Sequence, residues 1–488
     1  MNLIFTLIVI FLVGCGEDTA VNAPLDASSS LSSSNGLSLL SSSSKTFSSP
    51  SVSSSVSSSV SSSVSSSLSS SLSSLVSSSA SPLVHDREVL INADFEMDII
   101  DSSSWLYTGW KPNYSTALYT PSEGRNNSGA VKIMSQLEAN DAGWVQRVNL
   151  KKNTPYVFSA WLKGESVTTN KVGANLSYFG DWHRTFGHSG NSKSLEGTFD
   201  WTRLSLTILS DSSGETSIAC RLGYYNNTVK GTLWCDDFSV READMKKVAM
   251  GNIAVYIERQ DYESTSAERI QEWVNHLDIA YQSLGELVGD FPYDGDVISI
   301  LSKEEVSPFG YSGNPISVSR SSVAHFLPRL SNNDLGFGFL HELSHDFEFE
   351  GKWNFDGEHW ANFKLHYIVE THNVTVFVNN QYYTGEELKQ FWKDRYDSQM
   401  GLYLSQGGYF QFNDCLTHTF VTIKDSIGWD PFKKAFSSFR ALDDSWISTS
   451  NQEKFEKYLA LLTSFSGVDV KSLISDDDYA AYIKYLNR

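Results

Sequence analysis

Two histidines four residues apart with a glutamate between them, His341-Glu342-Leu343-Ser344-His345, are the residues of this sequence best placed to do chemistry. On a helix, positions i and i+4 share one face about 6 Å apart, so both imidazoles can reach one metal ion. Glu342 then falls beside that ion rather than on it. A carboxylate so placed is suited to taking a proton from water that a metal has made acidic. On a buried amphipathic helix the same pattern would only hydrogen-bond its histidines, so a helix and a third ligand have to be found nearby.

The flanking residues predict the helix. Asn333 and Asp334 offer capping oxygens before Leu335, and apolar Phe337, Leu340, Leu343 and Phe347 recur at spacings of three and four. Gly351 supplies a stop. Asp356 can cap a second helix opening at Gly357, with Glu358, Asn362, Leu365 and Val369 along one face. Glu358 follows His345 by thirteen residues, room for a turn and a return past the metal. Glu350 is too close along the first helix and Glu370 lies over three turns further on, so the expected ligand set is His341, His345 and Glu358. Zinc with an open water position suits that set. The chemistry expected is hydrolysis by metal-activated water, with Glu342 as general base toward that water and later as acid toward the leaving group. Tyr409 and His418, in a polar loop-to-helix region near Gly407-Gly408, are the candidate donors to the oxyanion. His359 is expected to point away from Glu358's face of the helix, and His366 and His372 to lie at the surface or behind the ligands.

Composition divides the chain around this site. Residues 1–15 read as an apolar leader ending in Leu12-Val13-Gly14-Cys15, which resembles a lipobox and implies acylation of Cys15. Residues 16–85 are a serine-rich tether, nearly pure serine from 28 to 81, without the aromatic residues a core would need. Residues 86–245 alternate apolar with polar in short runs, as in Tyr156-Val157-Phe158-Ser159-Ala160-Trp161-Leu162, and predict an all-β sandwich. Residues 246–488 predict an α+β, mainly helical domain, opening with an amphipathic helix from Ser264 to Leu287 and a strand over Val297–Leu301. A formal charge of −20 argues against nucleic acid as a partner, since phosphate binding needs a basic surface. Cys220 and Cys235, fifteen residues apart in the strand-rich part, are the expected disulfide, leaving Cys415 alone. Trp110, Tyr114, Trp144, Tyr178 and Trp182 lie near loop-forming residues and are the candidate sugar-stacking rings, whereas Trp161 and Trp201 read as core.

Two resemblances sharpen these readings. The strand-rich part resembles the jelly-roll carbohydrate-binding modules of families four and nine. The resemblance rests on Leu90-Ile91-Asn92-Ala93-Asp94-Phe95-Glu96, Gly197-Thr198-Phe199-Asp200-Trp201-Thr202-Arg203 and Trp234-Cys235-Asp236-Asp237-Phe238-Ser239-Val240. It implies glycan binding and a structural calcium shared by Glu96 and Asp237. His341 through His345, followed by Gly357-Glu358-His359-Trp360-Ala361-Asn362-Phe363, resembles the enhancin-like zinc peptidases of the glutamate-liganded class (gluzincins), over roughly 250–485. That resemblance implies a metallopeptidase acting on glycosylated protein. Together these features predict a monomeric zinc endopeptidase lipid-anchored at the bacterial outer membrane or cell surface, facing outward. It would touch the membrane only through its anchor and would have glycoprotein or peptide and carbohydrate as partners. The rival reading is a surface glycan-binding lipoprotein with a silent peptidase-like domain. A glycosidase has no carboxylate pair that the sequence places at a working separation.

Overall fold

The computed structural model describes residues 89–97, 104–109, 112–136, 141–179, 189–224, 227–330, 333–348, 351–409 and 411–488. Cys15, the serine-rich tether, Trp110, Trp182 and Glu350 lie outside the described residues. Among those described, no helix is long and apolar enough to cross a membrane.

The strand-rich part contains β1 (Leu106–Gly109), β2 (Ser115–Thr120), β3 (Ala130–Ser135), β4 (Ala142–Asn149), β5 (Pro155–Thr169), β6 (Ala174–Phe179), β7 (Ser189–Asn191), β8 (Gly197–Leu209), β9 (Glu215–Leu222) and β10 (Val229–Glu242). They form two five-stranded sheets, ordered β1-β4-β9-β6-β7 and β2-β3-β10-β5-β8, in which neighbouring strands are antiparallel. Alternation explains the sandwich. In β5, Tyr156, Phe158, Ala160 and Leu162 are buried while Val157 and Trp161 on the opposite face are partly exposed. The inward residues meet Trp144, Val148, Leu176 and Ile218 from the other sheet in one core. Cys220 of β9 and Cys235 of β10 are disulfide-bonded, tying the two sheets together across that core.

The second part is built on β11 (Met245–Met250), β12 (Ile253–Glu258), β13 (Ile298–Lys303), β14 (Gly310–Tyr311) and β15 (Ile316–Ser319), ordered β11-β12-β13-β15-β14. The inner pairs are parallel and both edge strands run antiparallel to their neighbours. The helices are α1 (Arg259–Tyr262), α2 (Ala267–Val288), α3 (Arg320–Phe326), α4 (Phe337–His345), α5 (Gly357–His372), α6 (Gly385–Gln406), α7 (Asn413–Ile427), α8 (Asp430–Arg440), α9 (Asn451–Ser466) and α10 (Asp476–Leu486). In α2 the stripe expected from sequence is the buried face, from Ile270 and Trp273 through Tyr281 to Leu287. Ser266 caps its first turn and Gly289, at φ 84°, ends it in the left-handed region.

α5 is the axis of the helical part. Every residue from His359 to Val369 is buried, so this helix is enclosed on all sides rather than amphipathic. The Trp360 ring lies 4.8 Å from Tyr458, 5.1 Å from Phe355, 5.2 Å from Phe436 and 5.5 Å from Phe420, measured between centroids. Rings from α7, α8 and α9 thereby fix α5 on several sides, and with it whatever its first turn presents.

The two parts also meet. Leu209 of β8 packs with Ala254, Tyr256 and Leu301 in a small buried cluster. Beside it the Glu305 carboxylate accepts the Thr207 backbone N–H at 2.8 Å and its hydroxyl at 3.4 Å. Burial pushes the Glu305 carboxyl above its ordinary range, against the pull of Lys303 and the Thr207 bonds. Glu305→Ala leaves that backbone donor without its acceptor and is expected to cost about 1–3 kcal/mol. Glu305→Gln, which keeps an acceptor, should cost less. Thermal unfolding of both variants checks the order.

Candidate metal centre

The motif helix is shorter than its sequence suggests. α4 opens at Phe337 behind Gly336, which sits at φ 71° and gives no side-chain cap. Asn333 and Asp334 therefore do not cap it. Asp334 is buried and uses one carboxylate oxygen to accept the N–H groups of Gly336, at 2.8 Å, and Phe377, at 3.2 Å. It pins the approach to the helix onto a distant strand, a long-range role that local spacing cannot reveal. The helix ends at His345 rather than at Gly351, because the next two residues fold into a tighter turn, with Phe347 N–H bonded to Ser344 and Glu348 N–H to His345. α5 starts where expected: Asp356 accepts the His359 N–H at 2.8 Å, and Glu358 stands in the first turn.

These two helices bring three side chains to one point. His341 Nε2 and His345 Nε2 are 3.1 Å apart, and the Glu358 carboxylate lies 3.3 Å from the first and 3.6 Å from the second. Among the described residues they are the one group of three or more metal-ligating side chains that converges, with ligand atoms within 4.8 Å of one another. The group could hold a metal ion. The donor chemistry fits: two imidazole nitrogens and a carboxylate suit a divalent transition metal. What lies behind the histidines fits as well. His341 Nδ1 is 2.9 Å from the side-chain Oδ1 of Asn362, and His345 Nδ1 is 2.9 Å from Glu348 Oε1. With each Nδ1 so engaged, Nε2 is the nitrogen that both rings turn toward Glu358 and toward each other. Phe337 stacks on the His341 ring, at 6.0 Å between centroids and 17° between planes.

The charges around the site are ordered. Burial pushes the Glu358 carboxyl up, but the bond to His341 and the charges of both imidazoles outweigh it and hold the group below its ordinary range. The Asn362 amide donates to Asp414 at 3.3 Å, and Arg395 donates to the other Asp414 oxygen at 2.8 Å. Burial raises Asp414 even with Arg395 beside it. Glu342 is buried in α4, and a side chain at Gly310 of edge strand β14 would meet its Cγ at 3.6 Å. The general-base candidate therefore sits under the rim of an edge strand.

The other candidates fall elsewhere. Tyr409 belongs to a ring cluster with Tyr403, Phe412 and Tyr485. His418 packs on Tyr396 of α6, while Asp414, Thr417, Phe420 and Lys424 of α7 meet α5. Neither Tyr409 nor His418 is brought to the three ligands by these contacts. Glu370 is bound by Lys424 and the Trp429 indole. His359 and His366 are not at the surface but fully buried in α5, and burial pushes the His366 ring down to about 3. His372 is bonded to Ser283 at 2.6 Å.

In the sandwich, Trp144 and Tyr178, at 8% and 3% exposed, belong to the core and present no face to a ligand. Their strands alternate inward at those positions. Tyr114 is exposed, and Trp161 and Trp201, expected in the core, lie at its surface, with Arg125 covering the Trp161 ring at 3.8 Å. Glu96 and Asp237 are each engaged by the turn from Arg125 to Gly129: Asp237 pairs with Arg125, and Glu96 accepts the Gly129 N–H at 3.2 Å. The buried carboxylate there is Asp236, which accepts Arg125 N–H and the Ser128 hydroxyl at 2.8 and 2.9 Å.

Sequence reasoning gave no supporting role to Asn362, Glu348, Asp414, Arg395 or Lys364. Two of these had a local signal, since Asn362 is one turn after Glu358 and Glu348 is three residues after His345.

No protein-family model and no curated protein matches the chain. Solved structures do. A conserved protein of unknown function from Bacillus anthracis str. Ames is 13% identical, over 70% of this chain and 79% of its own, at a TM-score of 0.39. Carbohydrate-binding modules match over a minority of the chain. TmCBM61, solved with beta-1,4-galactotriose, is 19% identical over 32% of this chain and 97% of its own, at 0.23. The CBM22-1 xylan-binding domain from Paenibacillus barcinonensis is 14% identical over 31% and 91%, at 0.22. Likenesses at these scores carry no activity to this chain.

Proposed function

We propose that the chain is a zinc-dependent endopeptidase that cleaves glycosylated protein, held near its substrate by the N-terminal sandwich acting as a carbohydrate-binding module. The observation that carries this reading is the convergence of His341, His345 and Glu358 with Glu342 buried on the same helix. A zinc ion held there would acidify water and polarise a carbonyl. His341, His345 and Glu358 would hold the ion, and Asn362 and Glu348 would keep both rings turned toward it. Glu342 takes the proton of the attacking water and returns it to the leaving amine. Among the described residues strand β14 pairs only with β15, and Glu342 lies against the face of this edge strand at Gly310. An extended peptide laid along that edge would bring its carbonyl to the general base. Glycan binding by the sandwich and an acyl anchor on Cys15 are part of the same reading and rest on the sequence resemblances. They would place the enzyme at the cell surface, facing outward.

The test is hydrolysis of a mucin-type glycoprotein by the purified chain, with products identified by mass, alongside matched bare and glycosylated peptides. Cleavage should stop on treatment with a chelator and return with zinc. Cleavage indifferent to the chelator, or confined to sugar linkages, would remove the proposal.

A further inference from the structure

α5 carries one charge that the fold has no packing reason to bury. The side chain of Lys364 is 0% exposed, among helices that elsewhere meet through aromatic rings. Its Nζ makes no hydrogen bond among the described residues. A buried ammonium without hydrogen bonds is costly, and an apolar side chain of similar length would fill the same space without that cost. Its neighbours show what the charge is set against. Nζ is 3.9 Å from Glu348 Oε1, the same oxygen that lies 2.9 Å from His345 Nδ1. The other Glu348 oxygen accepts the Asn354 amide at 2.6 Å. The two histidines are thus backed in parallel. His341 is followed by Asn362, Asp414 and Arg395, and His345 by Glu348 and Lys364. Each chain ends on a cation.

We propose that Lys364 is a positioning residue of the metal centre, a buried cation that anchors Glu348 against His345 and so sets the affinity of the site for its metal. The inference rests on the metal reading above and extends it beyond the ligands. Lys364 touches neither the ion nor a substrate. It acts by fixing the Glu348 carboxylate, which fixes the plane and direction of the His345 ring.

The test compares zinc affinity with fold. Zinc dissociation constants for wild type, Lys364→Met, Glu348→Gln and the double variant are measured by competition with a chromogenic chelator. Thermal melts of the metal-free proteins run beside them. Lys364→Met removes a buried, unbonded ammonium at nearly constant volume but also takes the cation from Glu348, so its metal-free melt should fall less than that of Glu348→Gln, which leaves the ammonium buried alone. Its zinc affinity should fall about 10–100-fold, the usual cost of losing a group that orients a ligand. In the Glu348→Gln background the same change should add little. Wild-type affinity in Lys364→Met would overturn the inference while leaving the metal site standing. A wild type that binds no zinc would overturn both. Should Lys364→Met fail to fold, Glu348→Gln decides alone: full affinity there breaks the chain from lysine to histidine.

Discussion

Glu342→Gln is expected to keep zinc at wild-type stoichiometry while slowing peptide cleavage about 10²–10⁴-fold. The expectation follows from where the side chain stands. Glu342 lies on α4 between the two histidines in sequence but outside the convergent group of ligand atoms. Glutamine matches it in shape, so α4, buried from Phe339 through Ser344, has no reason to shift. What is lost is the ability to accept a proton. Single-turnover cleavage by equally metallated wild type and variant, with zinc content measured on the same samples, separates this effect from a change in binding. Equal rates would remove Glu342 from the chemistry, and loss of zinc would make it a ligand.

Glu358→Ala should abolish tight zinc binding and leave the fold intact. Two imidazole nitrogens alone leave zinc one protein ligand short of a catalytic site. The substitution is structurally mild, because the Glu358 side chain is 42% exposed and the first turn of α5 remains capped by Asp356. At zinc a hundred times above the dissociation constant, binding stabilises the wild type by about 2.7 kcal/mol. The wild-type melt should therefore rise on adding zinc and the variant's should not, while their metal-free melts agree within a few degrees. A variant that still gains stability from zinc would show that the third ligand is another group.

The parts of the site that were legible in the sequence are those encoded locally. His341 and His345 share a helix turn, Asp356 caps the helix it precedes, and Glu358 follows within a turn, so spacing alone brings the three within reach of one another. The two sheets of the sandwich were legible for the same reason, from alternation over runs such as Tyr156 to Leu162. What could not be read depends on distant chain. Asp334 looks like a cap but serves Gly336 and Phe377, the second far along the sequence. Trp144 and Trp161 are both tryptophans in strands, and only the pairing of their sheets decides that one enters the core and the other lies under Arg125. Lys364 reads as a solvated helix residue until α4 and α5 are seen packed with its ammonium near Glu348. A ligand can be inferred from spacing. The groups that orient it come from whatever the fold places behind it.

Metal content tests the central claim most directly. Elemental analysis of the purified chain, loaded with zinc and dialysed against metal-free buffer, should find one zinc per chain, and the His341→Ala, His345→Ala double variant prepared in the same way should carry none. A folded wild type without stoichiometric zinc, or zinc that persists when both histidines are gone, would contradict a metal centre at this site.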